Sequence, residues 1–474
     1  MSTAGESDTI ATTDADTPAT TSTNRRQPYG QGFLDTISQG WAERPETMPP
    51  ARAQAAYTAA RRDAVSAAFP GKRLVIPAGE LRQRSNDTDY PFRAHSAFSH
   101  LTGWASDAEP GSVLVFEPRT EGGHDVTLYF RERADRTTAE FYSDASIGEF
   151  WIGPRPALRG VAADLGVATA HIDDLERRDG DVVLDEDDSL TRFVSELRLV
   201  KDDYEIAQMR LAVDVTARGF DDIVAHLPEI VAHPRGERLV EGVFHQRARS
   251  DGNAVGYDTI AASGPHACYL HWTRNDGAVM PGDLILIDAG AEVDSLYTAD
   301  ITRTLPVNGR FTDIQRRIYE TVREAADAAM AAARPGVKFR SVHEAAMQVI
   351  ATRVAEWGLL PVTAQEALDA DSGGHHRRYM VHGTSHHLGI DVHDCAQARR
   401  DMYYDGLLEP GMVFTIEPGL YFQIDDLTVP EEYRGIGVRI EDDILMTPEG
   451  PVNLSADIPR TADEVEAWIA RLSA

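Results

Sequence analysis

Cysteine is almost missing from this chain: Cys268 and Cys395 are the only two among 474 residues. That excludes a disulfide framework and any Cys-rich zinc or iron–sulfur site. Lysine is nearly as scarce, with Lys72, Lys201 and Lys338 set against many arginines, so lysine Schiff-base chemistry has few candidates. Basic charge as a whole is in deficit: 46 Lys and Arg face 76 Asp and Glu, a formal charge of −30. Nucleic acids and anionic membranes require a basic surface, so neither is expected as a partner. No apolar run approaches the roughly 18–20 residues needed to span a bilayer. From Ser2 to Asn24 the one large apolar residue is Ile10 and no Lys or Arg occurs, so no signal peptide is expected. These absences together lead to the expectation of a soluble, reducing, cytoplasmic setting.

What is present is ample core material, 42% hydrophobic, in a length that suits two to four domains. Residues 1–45, rich in Thr, Ser, Asp and Ala, read as a disordered leader. Over residues 50–195, helical patterns (Arg52–Phe69, Ala157–Gly166, Leu190–Leu199) alternate with strand-like runs (Arg73–Pro77, Val113–Phe116, Val126–Phe130), the signature of an α/β domain. The pattern changes near residue 200, where a second unit over 200–460 begins. Asp202 with Glu205 has capping-box spacing, as do Thr312 with Gln315, Ser341 with Glu344, and Thr461 with Glu464, the last opening a C-terminal helix within 461–474. Strands are expected at Leu284–Asp288, Thr298–Thr304, Met412–Glu417 and Val438–Leu445.

The chemistry-bearing residues gather at the ends of those strands. Asp288 closes one and Asp300 lies in the next; a hairpin would bring both to one point, although an Asp ending an apolar strand is commonly a turn cap. Six of the sixteen histidines fall between His375 and His393. A polar surface loop accounts for His375, His376 and His387, whereas Gly383 and Gly389 around His386 suit a tight backbone holding one imidazole. Those glycines argue against a regular helix, so His382 and His386 are not a helical zincin pair. Glu417 ends a strand before Pro418-Gly419. Glu441 sits among strand apolars on the same expected face as Arg439, where an ion pair between the two is the simple structural account. Taken together, two Asp, two Glu and one His form the donor inventory of an oxygen-rich site for two divalent ions about 3.5–4 Å apart. Hard carboxylates with a single imidazole favour Mn²⁺, Co²⁺ or Fe²⁺ over a thiolate-selected Zn²⁺.

Six segments carry a likeness: Asp288-Ala289-Gly290, Asp300-Ile301-Thr302-Arg303-Thr304, His382-Gly383-Thr384-Ser385-His386, Asp391-Val392-His393-Asp394, Glu417-Pro418-Gly419-Leu420-Tyr421 and Arg439-Ile440-Glu441-Asp442-Asp443. As a set they resemble the pita-bread metallopeptidases, and among these the Xaa-Pro aminopeptidase (aminopeptidase P) group. The resemblance implies an α/β (α+β) chain, an N-terminal αβα domain followed by a pita-bread catalytic domain. It implies metal ligands at Asp288, Asp300, His386, Glu417 and Glu441, with Asp300 and Glu441 bridging. It also implies two divalent ions, Mn²⁺ foremost, with Co²⁺, Fe²⁺ or Zn²⁺ as alternatives. Glu417 would also handle the proton of a hydroxide bridging the ions. His271, His382 and His393 would line the substrate, the latter two stabilising charge during cleavage; Arg439 and Tyr421 would occupy supporting and pocket positions. The implied reaction releases the N-terminal residue from peptides with proline second, in a homodimer or homotetramer.

The spacing from Asp288 to Asp300 is one residue longer than is usual in that family. The extra residue is expected to enlarge the hairpin loop near Val293–Leu296, because a register slip would turn one Asp away. Arg399 and Arg400 are candidate substrate contacts, and Cys395 is expected to be a small packed residue. The rivals are a prolidase acting on Xaa-Pro dipeptides and a catalytically inactive binding protein of the same fold.

Overall fold

The computed structural model describes residues 29–46, 48–86 and 88–473. The N-terminal unit is built on a five-stranded sheet in the order Ala168–His171, His124–Phe130, Val113–Pro118, Leu74–Pro77, Val182–Val183. The three inner strands pair antiparallel and the two outer ones join in parallel. Leu74 and Ile76 are buried while their neighbours are half-exposed, the period-2 alternation of a strand with one face on a core. That core is closed by Val65 of the Ala55–Ala68 helix, Phe98 and Leu101 of Ser96–Thr102, and Leu190 and Val194 of Asp188–Glu196.

Part of the expected disordered leader belongs to this unit. Gln31–Ile37 is a helix, Tyr29 and Phe33 set their rings edge-on against Tyr142, and Arg44 pairs with the buried Glu149 at 2.8 Å. Residues 1–28 of the leader lie outside the described residues.

The second unit opens as its capping box requires: Asp202 accepts from the Glu205 amide, Glu205 returns the bond, and the helix runs Asp203–Ala225 with Met209, Val213, Phe220 and Val224 buried. Thr312 and Thr461 likewise cap Asp313–Ala332 and Ala462–Leu472. Ser341 does not; its helix starts two residues earlier than that cap would set, Arg340–Glu356, with Phe339 at the cap position, while Thr363 and Glu366 form a further box. The strands Ile301–Pro306, Leu284–Ala289 and Ile260–Ser263 form one antiparallel sheet, and Val413–Ile416, Asp442–Thr447 and Gly450–Asn453 another. A ribbon of Gly419–Phe422 with Ile436–Arg439 lies beside them. The expected single strand Val438–Leu445 is therefore two strands, interrupted at Ile440 and Glu441. No described helix is long and apolar enough to cross a membrane.

The units meet through buried charge. Arg198 and Lys201, in the connection between them, both reach Asp394, at 2.9 and 3.2 Å, and all three side chains are almost wholly buried. Burial opposes ionisation of Asp394, yet the two cations hold it down to about 2. Removing one partner of such a set leaves uncompensated buried charge, which costs about 3–5 kcal/mol. Because its folded pKa is depressed, Asp394 stabilises fully above the ordinary carboxylate range near pH ~4 and loses that contribution as pH falls towards 2. Asp394→Asn should therefore lower the unfolding free energy by about 3–5 kcal/mol at pH 7, with a smaller deficit at pH 3, read by urea unfolding at both values.

Candidate metal centre and active site

Strand register explains why the two aspartates meet. Asp288 pairs directly with Thr302, and residues opposite each other in an antiparallel pair share a face. Asp300 lies two residues before Thr302, on that same face. The register has no slip that would turn either Asp away, and at the hairpin tip Leu296 adopts a left-handed φ of 68° while the Val293 amide donates to the Tyr297 carbonyl. Gly290 makes the close approach possible: a Cβ there would lie 1.6 Å from the Ala299 carbonyl oxygen. Tyr257 then spans the pair, its hydroxyl 2.6 Å from Asp288 and 2.5 Å from Asp300.

The other donors arrive from the second sheet. Glu417 follows the Val413–Ile416 strand, and its amide donates to the Thr384 carbonyl. His386 is held by reciprocal bonds with Thr415, and its Nδ1 faces the His387 carbonyl at 3.1 Å. Nδ1 therefore carries a proton, and Nε2 looks into the site, 3.2 Å from Asp300 and 3.5 Å from Glu417. Glu441 stands at the strand break and accepts from the Thr302 hydroxyl at 2.7 Å. The expected Arg439–Glu441 pair is not what forms. Arg439 sends Nη2 to Asp288 at 2.5 Å, Nε to Thr302 and Nη1 to Tyr421, because the break at Ile440 removes the alternation that would have put the two side chains together.

Ligand atoms of Asp300, His386 and Glu441 lie within 4.8 Å of one another, all three residues buried. Burial, reinforced by the neighbouring carboxylates, pushes Asp300 above its ordinary range, Glu441 well above it and Glu417 up to about 7. Burial alone would lower His386, but its bond to Asp300 and the charge of Glu417 raise it to about 9. So many anionic groups out of water, with Arg439 as the one cation among the cavity's arginines and lysines, is the electrostatic signature of a place that holds further positive charge. Hard oxygens with one neutral imidazole fit divalent ions.

These residues floor a cavity of about 520 Å³ whose walls are His271, His382, His393, Ser385, Ile260, Leu270, Val392 and Asp258. The rings of His271 and His393 have no hydrogen-bond partner among the described residues, and His393 stacks on His386 at 3.9 Å. His382 is committed: Nδ1 donates to the Gly383 carbonyl, and Nε2 accepts from Tyr421, whose oxygen accepts from Arg439. Burial and the charge of Arg439 press His382 down to about 3, so it is neutral. Tyr421 thus stands behind His382 rather than in the wall. Its hydroxyl fills the space that a Cβ at Gly419 would need, 2.3 Å away.

Some expectations fail here. Arg399 and Arg400 turn away to Glu196 and Asp405. His387 is fully buried against Phe339, with ring centroids 4.6 Å apart, and His376 is buried too, so neither lies on a surface loop. Cys395 is buried and packed, with φ of 60°. Three residues escaped the reading: Tyr257, Thr302 and Glu237. The buried Glu237 carboxylate accepts from the Ser263 and Gly277 amides and the Trp272 indole, and faces His266 Nδ1 at 2.7 Å, pinning both ends of the segment that bears His271.

A family model, metallopeptidase family M24, matches residues 207–448, and the N-terminal domain of aminopeptidase P matches residues 58–187. The chain belongs to metallopeptidase family M24. Xaa-Pro aminopeptidase 1 of Streptomyces coelicolor is 50% identical over 93% of this chain and 92% of its own length. The Escherichia coli Xaa-Pro aminopeptidase is 34% identical over 84% and 93%. Among solved structures, zinc-substituted E. coli aminopeptidase P in complex with product superposes with a TM-score of 0.76 at 31% identity, covering 89% of this chain and 99% of that one. Pseudomonas aeruginosa aminopeptidase PepP gives 0.75 at 32%, with the same coverage. The pita-bread fold and the N-terminal domain inferred from the motifs are those of these relatives.

Groups that orient ligands matter nearly as much as ligands, with losses of about 10–100-fold on substitution. Tyr257→Phe should weaken divalent-ion binding by about that factor while leaving the thermal midpoint nearly unchanged, read by titration calorimetry and thermal unfolding. Were His386 and Glu417 to ligate an ion, they would do so as neutral imidazole and ionised carboxylate; held at about 9 and about 7, they would release protons on binding. Ion affinity should accordingly rise with pH across this range, and the proton release should appear as a buffer-dependent binding heat.

Proposed function

We propose that this chain is a metal-dependent Xaa-Pro aminopeptidase, releasing the residue that precedes a proline at the peptide N-terminus. The observation that carries the reading is the convergence of Asp288, Asp300, His386, Glu417 and Glu441 on the floor of a peptide-sized cavity, in a chain half identical to an Xaa-Pro aminopeptidase. Those five residues would hold two divalent ions, Mn²⁺ first, with Co²⁺, Fe²⁺ or Zn²⁺ as alternatives. When bound, such ions supply a nucleophilic oxygen at neutral pH and positive charge against the scissile carbonyl.

The remaining work falls to the chain's own groups. An X–Pro amide has no N–H and a fixed φ, so recognition by ordinary main-chain pairing is closed to it. Leu270, Ile260 and Val392 offer apolar wall against which a pyrrolidine ring packs. Glu417, poised at about 7, is suited to take a proton from the attacking oxygen and return it to the proline nitrogen. His271 and His393, with free ring nitrogens, are the groups placed to donate to substrate oxygen as charge builds there. Neutral His382, locked by Tyr421, Arg439 and the Gly383 carbonyl, sits with Nδ1 3.6 Å from Glu417 and walls that side of the carboxylate without placing charge on it.

The charge of −30 is the feature behind reading the chain as a cytoplasmic enzyme that does not seek nucleic acid or anionic membrane. Phe150, Trp151 and Ile152, consecutive and exposed on the N-terminal unit, support self-association into a homodimer or homotetramer.

Hydrolysis of an Xaa-Pro-Xaa tripeptide should far exceed that of the Xaa-Pro dipeptide, with Mn²⁺, Co²⁺ and Zn²⁺ added separately; the reverse ranking would make the chain a prolidase. Glu417→Ala and Asp300→Ala should each lower kcat/KM by at least about 10²-fold without loss of cooperative unfolding. Near-native turnover in either ion-loaded variant, or a wild-type chain that binds no divalent ion, would remove the assignment.

A further inference from the structure

We infer that Arg93, a residue of the N-terminal unit, is a positioning residue for the active site of the other unit. It rests on the reading above only for the substrate on which turnover is measured. Arg93 lies just before the Ser96–Thr102 helix and directs its guanidinium out of its own unit. Nε donates to Glu292 at 2.7 Å, Nη2 to the Ile390 carbonyl at 2.6 Å, and Nη1 lies 3.2 Å from the Ser96 hydroxyl and 3.4 Å from Asp391. Ser96 in turn donates to Asp391 at 2.5 Å.

The two segments so tied are the ones that carry the chemistry. Glu292 is buried in the hairpin between Asp288 and Asp300, where it also accepts from Asn253. Ile390 and Asp391 immediately precede Val392 and His393, which line the cavity. The segments also touch through the Thr298 amide and the Gly389 carbonyl. One guanidinium therefore sets how the hairpin bearing the acids sits against the loop bearing His393. His393 is unusually dependent on that: its ring has no hydrogen bond of its own, so its direction follows from its stacking on His386 and from the backbone that Arg93 and Ser96 hold.

The arrangement does not read as a stability device. The Arg93 side chain is 39% exposed, and screened pairs of that kind contribute little. Both segments also have separate buried anchors: Asp394 on Arg198 and Lys201, and Tyr297 on Glu205. Acceptors in three directions, Glu292, the Ile390 carbonyl and the Ser96–Asp391 pair, need a planar fork, and an ammonium serves one direction well.

The test uses full-length, ion-loaded protein. Arg93→Met should lower kcat on the best Xaa-Pro tripeptide by 10- to 100-fold, with KM changed less than threefold and ion content and thermal midpoint close to wild type. Arg93→Lys should recover part of the loss. Asp391→Asn should also lower kcat, and the double variant Arg93→Met/Asp391→Asn should be no slower than the worse single one, as expected for groups acting as a unit. Should Arg93→Met fail to fold, Ser96→Ala, which removes the hydroxyl that donates to Asp391 and accepts from Arg93, should still lower kcat several-fold. Independently of turnover, ¹³C-labelled histidine spectra of the zinc-loaded protein should show the His393 signal shifted or broadened by Arg93→Met. Unchanged kcat with an unchanged His393 signal overturns the inference, as does a lowered midpoint with full activity in the folded fraction. A wild type inactive on every Xaa-Pro peptide would strike the proposed function instead, and the spectra would then decide the role of Arg93.

Discussion

The constraint on which this molecule turns is like charge held together out of water. Asp288, Asp300, Glu417 and Glu441 floor one cavity, and Asp443, fully buried, takes the Asp300 amide from behind. Two carboxylates 4 Å apart repel by about 4 kcal/mol at an effective dielectric of 20, so an unbraced site would open. The braces are visible. Every residue of Leu284–Ala289 and Ile301–Pro306 is buried, which makes register slippage prohibitive. Arg439 neutralises Asp288 outright, Tyr257 donates towards both aspartates, and Thr302 passes a hydrogen bond from Arg439 on to Glu441. The pocket's high carboxyl pKa values and its appetite for divalent cations are one fact in two forms.

Bracing continues outward from the carboxylates. The relay from Arg439 through Tyr421 to His382 leaves one proton arrangement for three side chains, which fixes the imidazole tautomer beside Glu417 without any charge on it. Glu237 does for the His271 segment what Arg93 and Ser96 do for the His393 loop. In each case a buried or half-buried charged group from a different element gathers backbone amides or carbonyls of a loop that has little core of its own. Loops positioned this way keep side chains free for a substrate while their main chain stays fixed.

Much of this was legible in the sequence because the informative residues stand at the ends of strands whose apolar character is unmistakable. Asp288, Asp300, Glu417 and the His382–His386 loop are of that kind, and three of the four capping boxes lie where their spacing puts them. Most of what was not legible has one physical cause: partners distant in the chain. Tyr257 carries no local signal, since its role exists only once Asp288 and Asp300 have been brought together. Phe33 and Trp41 look stranded in a polar leader until Tyr142 and Phe141, about a hundred residues on, receive them. The Arg439–Glu441 pairing failed for a local reason, because period-2 reasoning assumes an unbroken strand and the chain breaks at Ile440. His387 was misjudged because its burial is set by Phe339 and Phe414, not by the glycines beside it.

The scarcity of lysine fits the same architecture. Arg303, wholly buried, donates to the carbonyls of Pro459, Thr302, Glu441 and Ile458 and to the Asp442 carboxylate, tying the C-terminal segment to the strand break at Glu441. Arg439 joins three acceptors from separate segments, and Arg93 joins Glu292 to the Ile390–Asp391 segment. A planar fork does this with little further ordering, whereas an ammonium on a four-carbon stem concentrates its charge at one point. Lys201 is the instructive exception. It meets a single carboxylate, Asp394, in a space so confined that a Cβ on Gly389 would come 3.0 Å from its Cε. A point charge suffices there because Arg198 already holds the other oxygen of Asp394. Where segments must be triangulated the chain places arginine, and where one charge must be matched in a narrow slot it places one of its three lysines.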